Sequence, residues 1–170
     1  NRPSAGGAVG AGMGAAEVAG GYTILFAASS MIVLRPQLQK LSFDPEKQLV
    51  PITNVGTGTQ MLAIKRDLPV KTLPEFIAYA KANPGKLNCT VAGPQNISHL
   101  APVLLFARAG VNLVMVPSKG GPQAVSDLMS GQVDLYFGNS SELLPHINSD
   151  RIRLIAVGTT VTRAVEPAAD

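Results

Sequence analysis

Apolar residues along this chain gather in short, nearly unbroken runs: YTILFAAS (22–29), MLAIK (61–65), LNCTVA (87–92), LVMV (113–116), VDLYF (133–137) and RLIAVG (153–158). Runs of this length without strict alternation predict strands buried on both faces of a parallel or mixed sheet. Between them the apolar positions take helical spacing. Thr72-Leu73-Pro74-Glu75 has capping-box spacing, with Thr72 as N-cap and Glu75 at N3, and Phe76, Ile77 and Ala80 follow on one face. Asn83-Pro84-Gly85 predicts its stop. A second helix follows the polar turn inside CTVAGPQNISHLAPVLLF (89–106) and runs to Gly110, with Pro102 moving its expected start toward Leu100. A third is expected from Pro122, burying Val125 and Leu128, exposing Gln123 and Asp127, and ending at Gly131. A short fourth follows Ser140-Ser141.

From residue 61 to 158 the order is therefore strand and helix in alternation, which predicts an α/β architecture with right-handed crossovers. The first sixty residues read differently. They are Gly/Ala-rich over 5–21, hold one strand-like run, and continue through RPQLQKLSFDPEKQLVP. They are expected to belong to another lobe. The chain shows no internal repeat and no long flexible linker.

Composition narrows the function classes. Apolar residues make up 46 % and charged residues 15 %, which suits a packed core and argues against disorder. The net charge is only +3, and the densest basic spots are Lys65-Arg66 and Arg151/Arg153, so the basic stripe expected of a nucleic-acid binder is missing. Cys89 is the single cysteine, which excludes an internal disulfide, and His99 and His146 lie on different segments, which gives no metal-ligand spacing. No apolar run reaches membrane-spanning length. The chain opens on Asn1-Arg2-Pro3 rather than Met, so a processed or truncated product is expected.

The candidate chemistry concentrates at two turns. Ser98 and His99 are adjacent, but neighbours on a helix point about 100° apart, so they cannot face each other as nucleophile and base. No G-x-S-x-G elbow is present. Asn96 or Ser98 reads as a helix cap, with His99 in the first turn. A strand ending at a helix N-terminus also points free N–H groups and partial positive charge outward, which suits a carboxylate. VPSKGGPQA (116–124) repeats that arrangement with Lys119, Gly120 and Gly121 before Pro122. In an open α/β sheet such loops face one crevice, so the pair predicts an anion cradle. GAGMGA (10–15) satisfies G-x-G-x-x-A, yet only nine residues precede Gly10 and Arg35 stands where an acidic residue is needed; a closely packed small-residue helix is the better reading. Asp44 and Glu46 fall in a Pro-broken turn and Asp134 inside an apolar run, so paired-carboxylate acid/base work has no basis. His146 reads as a surface or capping residue.

The segments NRPSAGGAVGAGMGA, GGYTILFAASS, LPVKTLPEFIAYAKANPGKLNCTVAGPQNISHL, VPSKGGPQAVSDLMSGQVDLYFGN and LLPHINSDRIRLIAVGTT, in that order, resemble the extracytoplasmic solute receptors of tripartite tricarboxylate transporters, often called Bug proteins. The resemblance runs from Asn1 to about Arg163. It implies a type II periplasmic-binding-protein fold with two α/β lobes, a hinge near Leu62–Lys65 and Ala156–Gly158, and a ligand held between the lobes. Residues 63–157 would form a complete second lobe, and 1–62 with 158–170 an incomplete first one. It further implies a periplasmic receptor for a small carboxylate, without catalytic residues, cofactor or metal, that delivers its solute to membrane transporter subunits.

Mapped onto this sequence, the family's ligand positions fall on Ala28, Ser29 and Ser30 in the first lobe. In the second they fall on Gly93, Gln95, Asn96, Ser98 and His99, on Lys119, Gly120 and Gly121, and on Gly138 and Asn139. Because the family's opening strand, ligand loop and helix do not precede Asn1, the chain is expected to be a fragment truncated at both ends. Its incomplete lobe would invite self-association. Two other readings stand beside this one: a nucleotide-binding α/β enzyme fragment built on Gly10–Ala15, and the effector-binding lobe of a transcription regulator.

Overall fold

The computed structural model describes residues 8–18, 20–93 and 97–158. The chain divides into two compact units, the first running to Gly56 and the second from Thr57 to Gly93 and onward from Ser98. In the first unit the elements are α1 (Ala8–Ala16), a π-helical turn (Ser30–Leu34) continuing into α2 (Arg35–Leu38), and α3 (Pro45–Gln48). The glycines of α1 permit close packing: a Cβ on Gly12 would stand 3.5 Å from Phe43 Cδ1, and one on Gly14 3.6 Å from Leu25 Cδ1. Asp44 opens α3 by accepting the Glu46 N–H at 3.1 Å, so the Pro-broken turn is a capped single helical turn.

The strand expected over 22–29 does not form. Residues 22–28 carry no ladder, and Tyr22, Ile24 and Phe26 stand exposed. Apolar, β-prone residues are not enough, because a strand's N–H and C=O groups need a neighbouring strand, and none pairs here among the described residues. Ala28 and Ser29 instead lead into the π turn that begins at Ser30, with the Met31 N–H donating to the Ala28 carbonyl at 2.9 Å. Pro36 has no N–H to donate four residues back, which suits the wider turn just ahead of it.

The second unit holds a five-stranded sheet of β1 (Gln60–Lys65), β2 (Asn88–Val91), β3 (Val114–Pro117), β4 (Leu135–Asn139) and β5 (Ile152–Val157), in the order β3-β2-β4-β1-β5. β2 runs parallel to both β3 and β4, whereas β1 is antiparallel to β4 and β5. The helices are α4 (Leu73–Ala82), α5 (Ile97–Arg108), α6 (Gly121–Met129) and the one-turn α7 (Ser140–Leu143), followed by a 3₁₀ turn at Leu144–His146. Alternate residues of β1 enter two separate cores, Leu62 and Ile64 in one and Ala63 in the other, so both faces of the sheet are covered. That double burial explains the unbroken apolar runs of β1, β2 and β4, whereas β3, at the sheet edge, leaves Val114 exposed. Phe76 of α4 and Phe106 of α5 meet in the first core with ring centroids 5.8 Å apart. Ala124, Val125 and Leu128 of α6 and Leu143 of α7 fill the second.

Local signals place the helix ends. Thr72 Oγ1 accepts the Glu75 N–H at 3.4 Å, while Glu75 reaches past the cap to accept the Lys71 N–H at 2.7 Å. Gly85, Gly110 and Gly131 follow α4, α5 and α6 at positive φ, where side chains are disfavoured. α5 begins at Ile97, not near Leu100, and carries Pro102 inside it. Burial of Pro102, Leu105 and Phe106 offsets the hydrogen bond that the proline cannot donate. Asp134 stands just before β4, 8 % exposed, and is paired: Oδ1 lies 2.8 Å from Lys65 Nζ and Oδ2 accepts the Asn88 N–H at 2.7 Å.

Phe76→Ala should cost about 3–5 kcal/mol by leaving a cavity between α4 and α5, seen as a lower urea midpoint at unchanged slope. The hydrogen bond to Asp134 holds the Lys65 ammonium above a lysine's ordinary value. A raised pKa means the contribution is complete below the unfolded value and is lost as pH rises through the folded one. Lys65→Met should therefore flatten the alkaline fall in stability above about pH 10, followed by thermal melts across that range.

Candidate functional site

Parallel pairing sends β2, β3 and β4 toward the same edge of the sheet, so the loops after Val91, Pro117 and Asn139 leave it together. The first residue of β1, Gln60, pairs with Asn139 at that edge. The turns after β2 and β3 are tied to each other. The Val91 carbonyl accepts the Ser118 N–H at 2.9 Å and the Gly93 N–H at 2.8 Å. The Ser118 hydroxyl lies 3.1 Å from both the Val91 and Gly120 carbonyls and donates to one at a time.

Gly93 has φ +89°, so a side chain there would be strained and the backbone stays open to close approach. Gln95 and Asn96, the next predicted positions, lie outside the described residues. Ser98 is buried and His99 half-buried in the first turn of α5, as adjacent residues whose side chains diverge. Gly120, the N-cap of α6, has φ +155° and ψ 176°, a region that only glycine populates readily. Its carbonyl accepts the Ala124 N–H at 3.0 Å, whereas neither its own N–H nor that of Lys119 makes a hydrogen bond among the described residues. The Lys119 side chain is exposed, with no ion pair among the described residues. Ala28, Ser29 and Ser30 belong to the first unit, at the entry of its π turn.

The edge also holds a polar cluster that sequence reasoning missed. Glu142 Oε2 accepts the Tyr136 hydroxyl at 2.7 Å and the Asn139 N–H at 3.1 Å, while Asn139 caps the Glu142 N–H in return. Burial first, and then the bond to Glu142, pushes the Tyr136 phenol well above its ordinary range, so it stays a donor. Asn139 Oδ1 also accepts from Gln60 Nε2. Two glycines make room for this cluster. A Cβ on Gly138 would strike the Tyr136 ring, and one on Gly121 would strike the Glu142 carboxylate. The helix N-terminus predicted as an open cradle therefore already has a carboxylate packed against its first residue. Only the α7 cap within this cluster was legible: Asn139-Ser140-Ser141-Glu142 has capping-box spacing. Gln60 Oε1 and Thr90 Oγ1, the latter beside Tyr136 in register, are buried without a partner among the described residues.

Other sequence features resolve differently. A shallow hollow of about 400 Å³ runs along α6 past Ser126, Met129, His146 and Arg151, and includes none of the predicted ligand residues. Gly10–Ala15 lie within α1 rather than in a strand-to-helix turn, which removes the geometry a dinucleotide fingerprint needs. Cys89 is buried, and burial pushes its thiol up to about 12, which disfavours the thiolate. Among the described residues no group of three potential ligands could hold a metal, and no helix is long and apolar enough to cross a membrane.

A family model described as the tripartite tricarboxylate transporter family receptor matches residues 1–169. BugT of Bordetella pertussis is 32 % identical over 159 residues, covering 92 % of this chain and 49 % of BugT. A protein of the tcbD–tcbE intergenic region of a Pseudomonas species is 32 % identical over 157 residues, covering 92 % and 47 %. A solved periplasmic transporter superposes with TM-score 0.83 at 32 % identity, over 89 % of this chain and 51 % of that one. R. palustris Rpa4515, solved with adipate, gives TM-score 0.79 at 28 % identity over the same shares. The chain spans about half the length of the relatives it matches. Its α/β fold is that of periplasmic binding proteins.

Gly121→Ala should destabilise by about 1–3 kcal/mol, because the methyl must displace a tethered carboxylate. In a Glu142→Ala background the same substitution should cost clearly less. A double-mutant cycle by urea denaturation reads that difference.

Proposed function

The chain belongs to the receptor family of tripartite tricarboxylate transporters, and from that premise we propose that it is part of a periplasmic receptor for a small carboxylate. The solute is passed to membrane transporter subunits, and the chain performs no chemistry on it. The observation that carries this reading is the common edge reached by β2, β3 and β4, where the N–H groups of Lys119 and Gly120, without a hydrogen bond among the described residues, sit beside a lysine side chain. Backbone donors at a helix N-terminus favour an anion, and Lys119 adds positive charge with no ion pair among the described residues. The adipate-bound relative supports a carboxylate as the solute class.

The proposed contacts in the second unit are Gly93, Ser98, His99, Lys119, Gly120, Gly121, Gly138 and Asn139; Gln95 and Asn96, outside the described residues, are proposed beside them from the family pattern. Gly121 and Gly138 act there by making room for Glu142 and Tyr136. Ala28, Ser29 and Ser30 enter from the family pattern alone. We likewise propose lobe limits of 63–157 for the second lobe and 1–62 with 158–170 for the first, and self-association through the first.

Isothermal titration calorimetry with a panel of mono- and dicarboxylates should give saturable binding for at least one member. Lys119→Ala should weaken it about fivefold, the worth of a solvent-exposed charge at contact distance. Binding of neutral sugars with no response to any carboxylate would overturn the reading.

A further inference from the structure

The α6 N-terminus carries a negative charge of the protein's own. Glu142 projects from the first turn of α7 and is half-buried, and its carboxylate packs against Gly121, the first residue of α6. It is held there from one side. Oε2 takes both the Tyr136 hydroxyl and the Asn139 N–H, whereas Oε1, the atom nearest the Gly121 Cβ position, makes no hydrogen bond among the described residues. Gly121 and Gly138 both lack the side chains that would prevent this arrangement. Lys119, two residues before Gly121, forms no ion pair with it among the described residues.

Such a group offers an acceptor and a fixed charge a few residues from the donors proposed to hold the ligand. A single carboxylate can lie on the Lys119 and Gly120 N–H groups. A further carboxylate near Gly121 meets a like charge that cannot swing away, because its other oxygen is tethered twice. A hydroxyl or ammonium at the same place meets an acceptor. We propose that Glu142 is a specificity-determining residue of this site, selecting carboxylates that carry a neighbouring hydrogen-bond donor and rejecting those that carry an additional carboxylate. This inference rests on the receptor reading above and narrows its substrate class.

Four probes share one dicarboxylate frame and differ in a single substituent: succinate with hydrogen, malate with hydroxyl, aspartate with ammonium, and tricarballylate with a further carboxylate arm. Calorimetry on the wild type should rank malate and aspartate above succinate, and tricarballylate last. Glu142→Gln keeps the capping-box geometry while removing the charge. It should improve tricarballylate affinity about tenfold and weaken aspartate, with thermal melts confirming the fold. A wild-type measurement stands independently of the variant, since raising ionic strength should narrow the gap between succinate and tricarballylate. A ranking unmoved by both Glu142→Gln and salt overturns the role of Glu142 and leaves the receptor reading intact. Failure of all four probes and of the wider carboxylate panel overturns both.

Discussion

Parallel pairing of β2 with β3 on one side and β4 on the other decides what the second unit can do. Three strands with the same direction in one sheet must end at the same edge, and each is followed there by a helix start: α5, α6 and α7. The opposite edge receives helix ends, where Gly85, Gly110 and Gly131 turn the chain back at positive φ. One edge is thus built for reversal and the other collects backbone donors. Open α/β sheets place ligands at the carboxyl ends of their strands for this reason. The antiparallel β1 does not disturb the arrangement, because its first residue, Gln60, meets Asn139 at the same edge.

The polar cluster at that edge ties three elements of the sheet end together. Tyr136 and Gly138 share a face of β4, and the missing side chain at Gly138 lets the phenol ring reach Glu142. Glu142 closes α7 onto Asn139 and at the same time abuts α6 through Gly121. A single carboxylate therefore joins β4, α6 and α7, and two glycines positioned by the sequence serve this contact more directly than they serve a ligand. From sequence the helix N-terminus with its glycines was expected to be an open anion site. That the protein supplies a carboxylate to it was not legible, because the glutamate arrives from twenty-one residues downstream.

Strands β1, β2 and β4 were legible because both sheet faces are covered, leaving short unbroken apolar runs; β3 and β5, at the sheet edges, carry runs of the same kind with partly exposed residues. The capped start of α4, and the glycine stops of α4, α5 and α6, follow local chemistry that needs no tertiary information. The run at 22–29 misled, since pairing is a property of two strands and its composition describes only one. Pro102 misled in the opposite sense: its cost to α5 is real, but burial against the first core outweighs it. Ser98 and His99 were read as the start of a helix, and they lie in the first turn of α5; family likeness rather than periodicity suggested the proposed solute class.

The central claim is that a carboxylate lies at the shared edge of β2, β3 and β4. Amide-resolved NMR during titration with the tightest-binding member of the carboxylate panel tests it most directly. Saturable shifts should concentrate at Gly93, Ser98, Lys119, Gly120, Gly121 and Asn139, with Gly85, Gly110 and Gly131 unmoved. Shifts centred on those three glycines, or on His146 and Arg151 beside α6, would contradict it.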